Sequence, residues 1–160
     1  MPSVSISKPH HKQQLNMSCL PACAKMLLDF TGNTTEEATL RALLKTDQFG
    51  GTPALNILAL NAALPGAKAE IHFWSFVDLQ EYLETKRHPC IVAVRTHSLP
   101  HWKQTDSRHA VIVHGFDDKH VFLNDPYFDE TEFPVSSNAF ITAWSALGNI
   151  AITIERRASE

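Results

Sequence analysis

The run Gln13-Gln14-Leu15-Asn16-Met17-Ser18-Cys19-Leu20-Pro21-Ala22-Cys23-Ala24-Lys25-Met26-Leu27-Leu28-Asp29-Phe30 sets a glutamine six residues ahead of a cysteine that opens an apolar helix. Ser18 reads as the N-cap, and Pro21 fits the first turn, where its missing N–H costs nothing. Leu20, Cys23, Ala24, Leu27 and Leu28 recur at helical spacing and form the stripe expected to be buried, and Gly32 ends the helix. A thiol at a helix N-terminus is biased toward the thiolate, because free N–H groups and the helix dipole favour negative charge there.

Upstream, residues 1–12 read as an extended lead-in with Pro2, Pro9 and alternating Val4 and Ile6. Downstream, Thr34 with Glu37 resembles a capping box for a second helix to about Leu44. Thr52-Pro53 opens a third helix, carrying Leu55, Leu58, Ala59 and Ala62, that stops at Pro65-Gly66. Residues 69–74 alternate like a strand, and Ser75 caps a helix through Lys86 with Phe76, Leu79 and Leu83 inward. Residues 90–94 form a buried apolar strand. After a loop over 96–107, residues 109–116 and 120–124 read as a hairpin about Asp117-Asp118. Residues 138–147 form a last helix and 150–154 a last strand. The order predicts an α+β chain organised as a single domain over residues 1–160.

That hairpin brings chemistry to the cysteine. A turn on Asp117-Asp118 pairs Phe116 with Lys119 and sets position 109 opposite 126. Asp125 then falls within one residue of His109 across the ladder. Cys19, His109 and Asp125 are therefore a candidate nucleophile, base and orienting acid. His114 points to the opposite face by strand alternation and is the poorer base. The Gln13 side-chain amide, with the backbone N–H of Cys19, is placed to form an oxyanion hole, and Gln14 is its competitor.

These blocks resemble the double-glycine leader peptidases, the bacteriocin-processing branch of the papain-like cysteine peptidases. The resemblance rests on Gln, six residues on Cys, then Pro-Ala-Cys and an apolar helix. It continues in His109-Ala110-Val111 running to Gly115, Phe116 and Asp117, in Asn124-Asp125-Pro126, and in Phe140 and Trp144 of the final helix. It covers residues from about 13 to 154. It implies a papain-like fold in which an N-terminal helical part, with the nucleophile on its first helix, packs on a mostly antiparallel sheet carrying His and Asp. It assigns Cys19 as nucleophile, His109 as general base and acid, Asp125 as orienting residue and Gln13 as oxyanion donor. The implied reaction is cleavage of a peptide or protein tail, such as a leader after a Gly-Gly-type site, through a thioester. No cofactor or metal is implied. Leu20 stands where the family usually has glycine, and a side chain there is expected to narrow the cleft or shift the helix start. Family members are often N-terminal domains of membrane transporters, whereas here no transporter is expected after Glu160.

The 160 residues carry a net charge of −3, 44% hydrophobic and 19% charged residues, with no basic stripe, which argues against nucleic acid as a partner. No run is long and apolar enough for a membrane span, and the N-terminus lacks the apolar core of a signal peptide, so a cytoplasmic location is expected. Three cysteines make no disulfide framework, and Cys23 and Cys90 are expected in the core. Neither Cys19/Cys23, His97/His101 nor His10-His11 has the second close pair that a metal site requires. Among the tryptophans, Trp74 and Trp144 are expected inside and Trp102 outside, on a loop that borders the cleft. Two other readings stay open: a peptide-binding module that does not cleave, and an acyltransferase or amidase using the same triad.

Overall fold

The computed structural model describes residues 3–158. A short strand β1 (Val4–Ser5) precedes helices α1 (Cys19–Phe30) and α2 (Glu37–Leu43). A 3-10 segment (Ala54–Ala59) runs into α3 (Leu60–Ala63). Then come β2 (Ala67–Phe73), α4 (Phe76–Lys86), β3 (Cys90–Arg95), β4 (Arg108–Phe116), β5 (His120–Asn124), β6 (Phe133–Ser136), α5 (Ser137–Ser145) and β7 (Ile150–Arg156). The sheet order is β2-β7-β3-β4-β5-β6, and each neighbouring pair is antiparallel. This is the expected α+β architecture.

Helices cover both faces of the sheet. On β3 and β4, Ile91, Ala110 and Ile112 pack with α1, α2, Ile57 and Leu60, while Val92, Val94, Val111 and Val113 pack with Leu79 and Leu83 of α4 and Phe140 and Trp144 of α5. That is why β3 and β4 read as nearly unbroken apolar runs rather than alternating ones. All five residues of the expected α1 stripe are buried. Helix α4 begins with the cap expected at Ser75, which Asp78 extends into a capping box.

Several expectations need correction. Ser18 precedes α1 but does not cap it: its hydroxyl bonds back to Leu15, accepting from the N–H at 3.0 Å and donating to the carbonyl at 2.9 Å. No Thr34–Glu37 box forms, because α2 starts at Glu37 and the Glu37 carboxylate turns inward. The third helix starts as 3-10, so Ile57 and Leu60, three apart, face inward while Leu55 and Leu58 are exposed. The strand β6 has no counterpart in the sequence reading.

The hairpin register also differs. Asp117 accepts from the N–H groups of Lys119 (2.8 Å) and His120 (2.7 Å), so the turn lies on Asp118-Lys119, and Phe116 pairs with Val121. A bulge between Val113 and Gly115 then sets Ile112 opposite Asn124, where an unbroken ladder would set it opposite Asp125. The lead-in strand uses that irregularity. Beyond Cys90, β4 is free of β3, and β1 pairs there as Val4↔Phe116 and Ser5↔Gly115. Only glycine fits at 115, since a Cβ there would lie 2.2 Å from the Val4 carbonyl oxygen. Pro2 lies outside the described residues.

Candidate active site

Cys19 is the first residue of α1, so its N–H has no intrahelical acceptor. Helix α1 is seated on β4, where the Cys23 thiol one turn later contacts the Ala110 carbonyl at 3.5 Å. His109, beside Ala110 on β4, is paired across the sheet with Val94. Asp125 directly follows β5. Three elements distant in sequence thus meet at one end of the sheet.

His109 Nε2 lies 2.6 Å from Asp125 Oδ1, which leaves Nδ1 as the ring nitrogen available to Cys19. Asp125 is fully buried, and its hydrogen-bond partners are all nitrogen groups. Oδ1 also accepts the Tyr127 N–H at 3.0 Å, and Oδ2 meets His101 Nε2 at 2.9 Å and Trp102 Nε1 at 2.8 Å. Burial raises the Asp125 carboxyl, but the bonds from His101 and His109, the His109 charge and the Trp102 bond bring it well below the ordinary carboxylate range.

The same logic sets the other two groups. Burial lowers His109, but the bonds and negative charges of Asp125 and Cys19 lift it to about 9. Burial raises Cys19; the His109 bond and charge, with the backbone of Ala110 and Leu20, outweigh it and bring the thiol below its ordinary value. Both shifts act in the direction of a thiolate–imidazolium pair. Cys19 is partly exposed, whereas Cys23 and Cys90 are buried and pushed up by desolvation.

His101 and Trp102 were not singled out as site residues by the sequence. They sit on the loop over residues 96–107, whose ends are tied by the Arg95–Asp106 fork (2.8 and 3.1 Å) and a Thr96 N–H to Ser107 carbonyl bond of 3.0 Å. Trp102 is half-buried, not exposed as expected, because its N–H is spent on Asp125 and its ring packs edge-on to His109 at 4.9 Å. His101 stacks on Phe133 at 4.1 Å. The one available signal was the loop's direct run into His109. His10 also supports this region, bridging Asn124 Oδ1 (2.8 Å) and the Phe128 carbonyl (3.0 Å).

Gln13 lies just ahead of α1, but its amide is not free. Its Nε2 donates to the Leu15 (2.8 Å) and Asn16 (2.9 Å) carbonyls, and Oε1 is buried with no partner among the described residues. Donation from the Gln13 amide to a substrate oxygen therefore requires exchange of one of those bonds. Gln14 is exposed, and its Oε1 accepts from Arg41 at 2.9 Å. Leu20 neither narrows the cleft nor displaces the helix, since its side chain is buried in the core under α1.

A model of the Peptidase_C39 like family matches residues 6–152. The uncharacterized protein YvpB of Bacillus subtilis (strain 168) is 40% identical over 52 residues, a match spanning 32% of this chain and 20% of YvpB. Among solved structures, a C39-like protein from Bacillus anthracis superposes with a TM-score of 0.77 at 16% identity, covering 99% of this chain and 100% of that one. A double-glycine motif protease from an AMS/PCAT transporter, in complex with the leader peptide, gives 0.70 at 19% identity over 98% and 100%. The peptidase domain of Streptococcus ComA gives 0.73 at 23% identity over 92% and 97%. At such identities the structural likeness is one of fold.

Proposed function

The chain belongs to the Peptidase_C39-like family, and from that premise we propose that it is a cysteine peptidase whose nucleophile is Cys19. The observation that carries the reading is a partly exposed thiol at the start of α1, made more acidic by His109, whose ring is bonded at 2.6 Å to a buried, donor-saturated Asp125. The Cys19 thiolate attacks a peptide carbonyl carbon, and the electron pair moves onto the oxygen. That oxygen is met by the Cys19 N–H and, after exchange of a loop bond, by the Gln13 amide. His109 imidazolium gives its proton to the departing amine nitrogen as the C–N bond breaks, leaving a thioester. The neutral ring then takes a proton from water, whose oxygen displaces the thiolate. Asp125 holds the ring and its charge throughout.

The substrate in this reading is a peptide or protein tail. A leader ending in a Gly-Gly-type site is the first candidate, since one structural neighbour is a double-glycine motif protease bound to a leader peptide. Among the described residues no helix is long and apolar enough to cross a membrane. The test is the pH dependence of Cys19 alkylation by iodoacetamide, mapped by mass spectrometry, alongside cleavage of Gly-Gly-containing peptides. Alkylation well below the free-thiol pKa of about 8.5, lost in His109→Ala, together with a new carboxylate terminus, is the expected result. An ordinary thiol in both proteins overturns the nucleophile, and a product bearing an amine in place of the carboxylate selects acyl transfer.

A further inference from the structure

Glu37, the first residue of α2, is a second fully buried carboxylate, and among the described residues it is bonded to none of Cys19, His109 and Asp125. Its Oε1 accepts the Gln14 backbone N–H at 3.0 Å and meets His11 Nε2 at 3.1 Å, while Oε2 is paired with Arg41. Arg41 also donates to Gln14 Oε1 at 2.9 Å. Every one of these contacts leads to residues 11–14, directly or through Arg41. From the opposite side, the Gln13 N–H donates to the Pro126 carbonyl at 2.7 Å, next to Asp125. The Gln13-Gln14 backbone is thereby strapped between α2 and the turn that carries Asp125.

A buried ion network is an expensive way to fasten a helix to a loop, since apolar packing does so without desolvating charge. What a carboxylate does that a hydrocarbon cannot is accept a backbone N–H and so fix the direction of a peptide plane. Here that plane joins Gln13 to Gln14. We propose that Glu37 is a positioning residue: through the Gln14 N–H it sets the Gln13 side chain for the oxyanion that forms at Cys19, while leaving Cys19 and His109 themselves untouched. This rests on the peptidase reading above.

Two small probes separate the roles. Iodoacetamide is attacked at a saturated carbon, where the Cys19 sulfur displaces iodide and no oxyanion develops. p-Nitrophenyl acetate is attacked at its carbonyl: the sulfur–carbon bond forms, an oxyanion develops, and p-nitrophenolate leaves from a thioacetyl enzyme. In Glu37→Gln, acylation by p-nitrophenyl acetate is expected to fall about 10- to 100-fold while alkylation stays within about twofold. Equal rates for wild type and variant with both probes, or a parallel fall in both, overturns the proposal. If Glu37→Gln does not fold, Arg41→Met, which leaves the carboxylate with His11 and Gln14, is expected to show the same split at smaller size, and a parallel fall there overturns it. A wild type that is alkylated but never acylated overturns the peptidase reading and this inference with it. Wild-type acylation with an unchanged Glu37→Gln rate overturns the inference alone.

Discussion

His109 and His114 lie five residues apart on β4, 8% and 3% exposed, and the protein drives them in opposite directions. His109 is lifted to about 9, whereas desolvation, helped by the Lys8 charge, lowers His114 to about 4. Burial acts alike on both. The difference is the partner: His109 has the Asp125 carboxylate at 2.6 Å and the Cys19 sulfur, while neither His114 ring nitrogen has a hydrogen-bond partner among the described residues and Glu132 stands 4.0 Å away. One strand therefore carries a cation poised for proton transfer and a neutral ring that serves as packing. Strand position alone does not distinguish a base from a core residue; an anion held within hydrogen-bond distance does.

Breaking the pair at its reactive member has the largest expected effect. His109→Ala is expected to lower kcat/KM for a cleaved peptide by about 10³- to 10⁴-fold, read with a fluorogenic peptide. Asp125→Asn keeps the ring but removes its counter-charge, for an expected loss of about 100-fold in kcat/KM. Because Asp125 raises His109, the alkaline limb of the wild-type pH–rate profile is expected at about 9, and this variant moves it to lower pH.

His101→Ala withdraws one of the donors on Asp125 Oδ2 and is expected to cost about tenfold, with a smaller downward shift of the same limb. A loss of kcat with no movement of that limb assigns His101 a purely structural part. The smallest effect on activity belongs to the other histidine: His114→Leu is expected to change kcat/KM by less than about twofold.

Stability sharpens the contrast from the opposite side. A ring whose folded pKa lies below its unfolded value contributes stability fully above about pH 6.5 and loses it as pH falls toward 4. Urea unfolding of wild type between pH 7 and 5 should thus show a loss on the order of 1–2 kcal/mol that His114→Leu lacks. For His109, with its pKa raised, the sign reverses: its contribution is complete below about pH 6.5 and disappears as pH rises through about 9.

Local chemistry was readable from the chain. The buried stripe of α1, the Ser75 cap of α4 and the β4–β5 hairpin each depend on residues only a few positions apart, and each formed. The nearness of His109 and Asp125 followed from hairpin geometry even though the register was misjudged by one residue. The error arose in the turn, where Asp117 spends its carboxylate on the Lys119 and His120 N–H groups and shifts the register by two residues, and the bulge at His114, beside the paired β1, takes one of them back.

Tertiary structure alone decided the rest. Half-buried Trp102 and His101 gain their place only when the 96–107 loop folds over Asp125, and a free-standing loop sequence carries no trace of which carboxylate will accept its donors. Whether Gln13 offers its amide outward or to its own loop depends on the Leu15 and Asn16 carbonyls and on the Glu37 and Pro126 anchors, three-dimensional acceptors that a spacing of six residues does not specify. Periodicity and caps are short-range, so the amino-acid order by itself determined the elements and the types of reactive group. Hydrogen-bond partners and local charge are long-range, so only the folded chain decided which histidine is charged, which cysteine is acidic, and what holds them there.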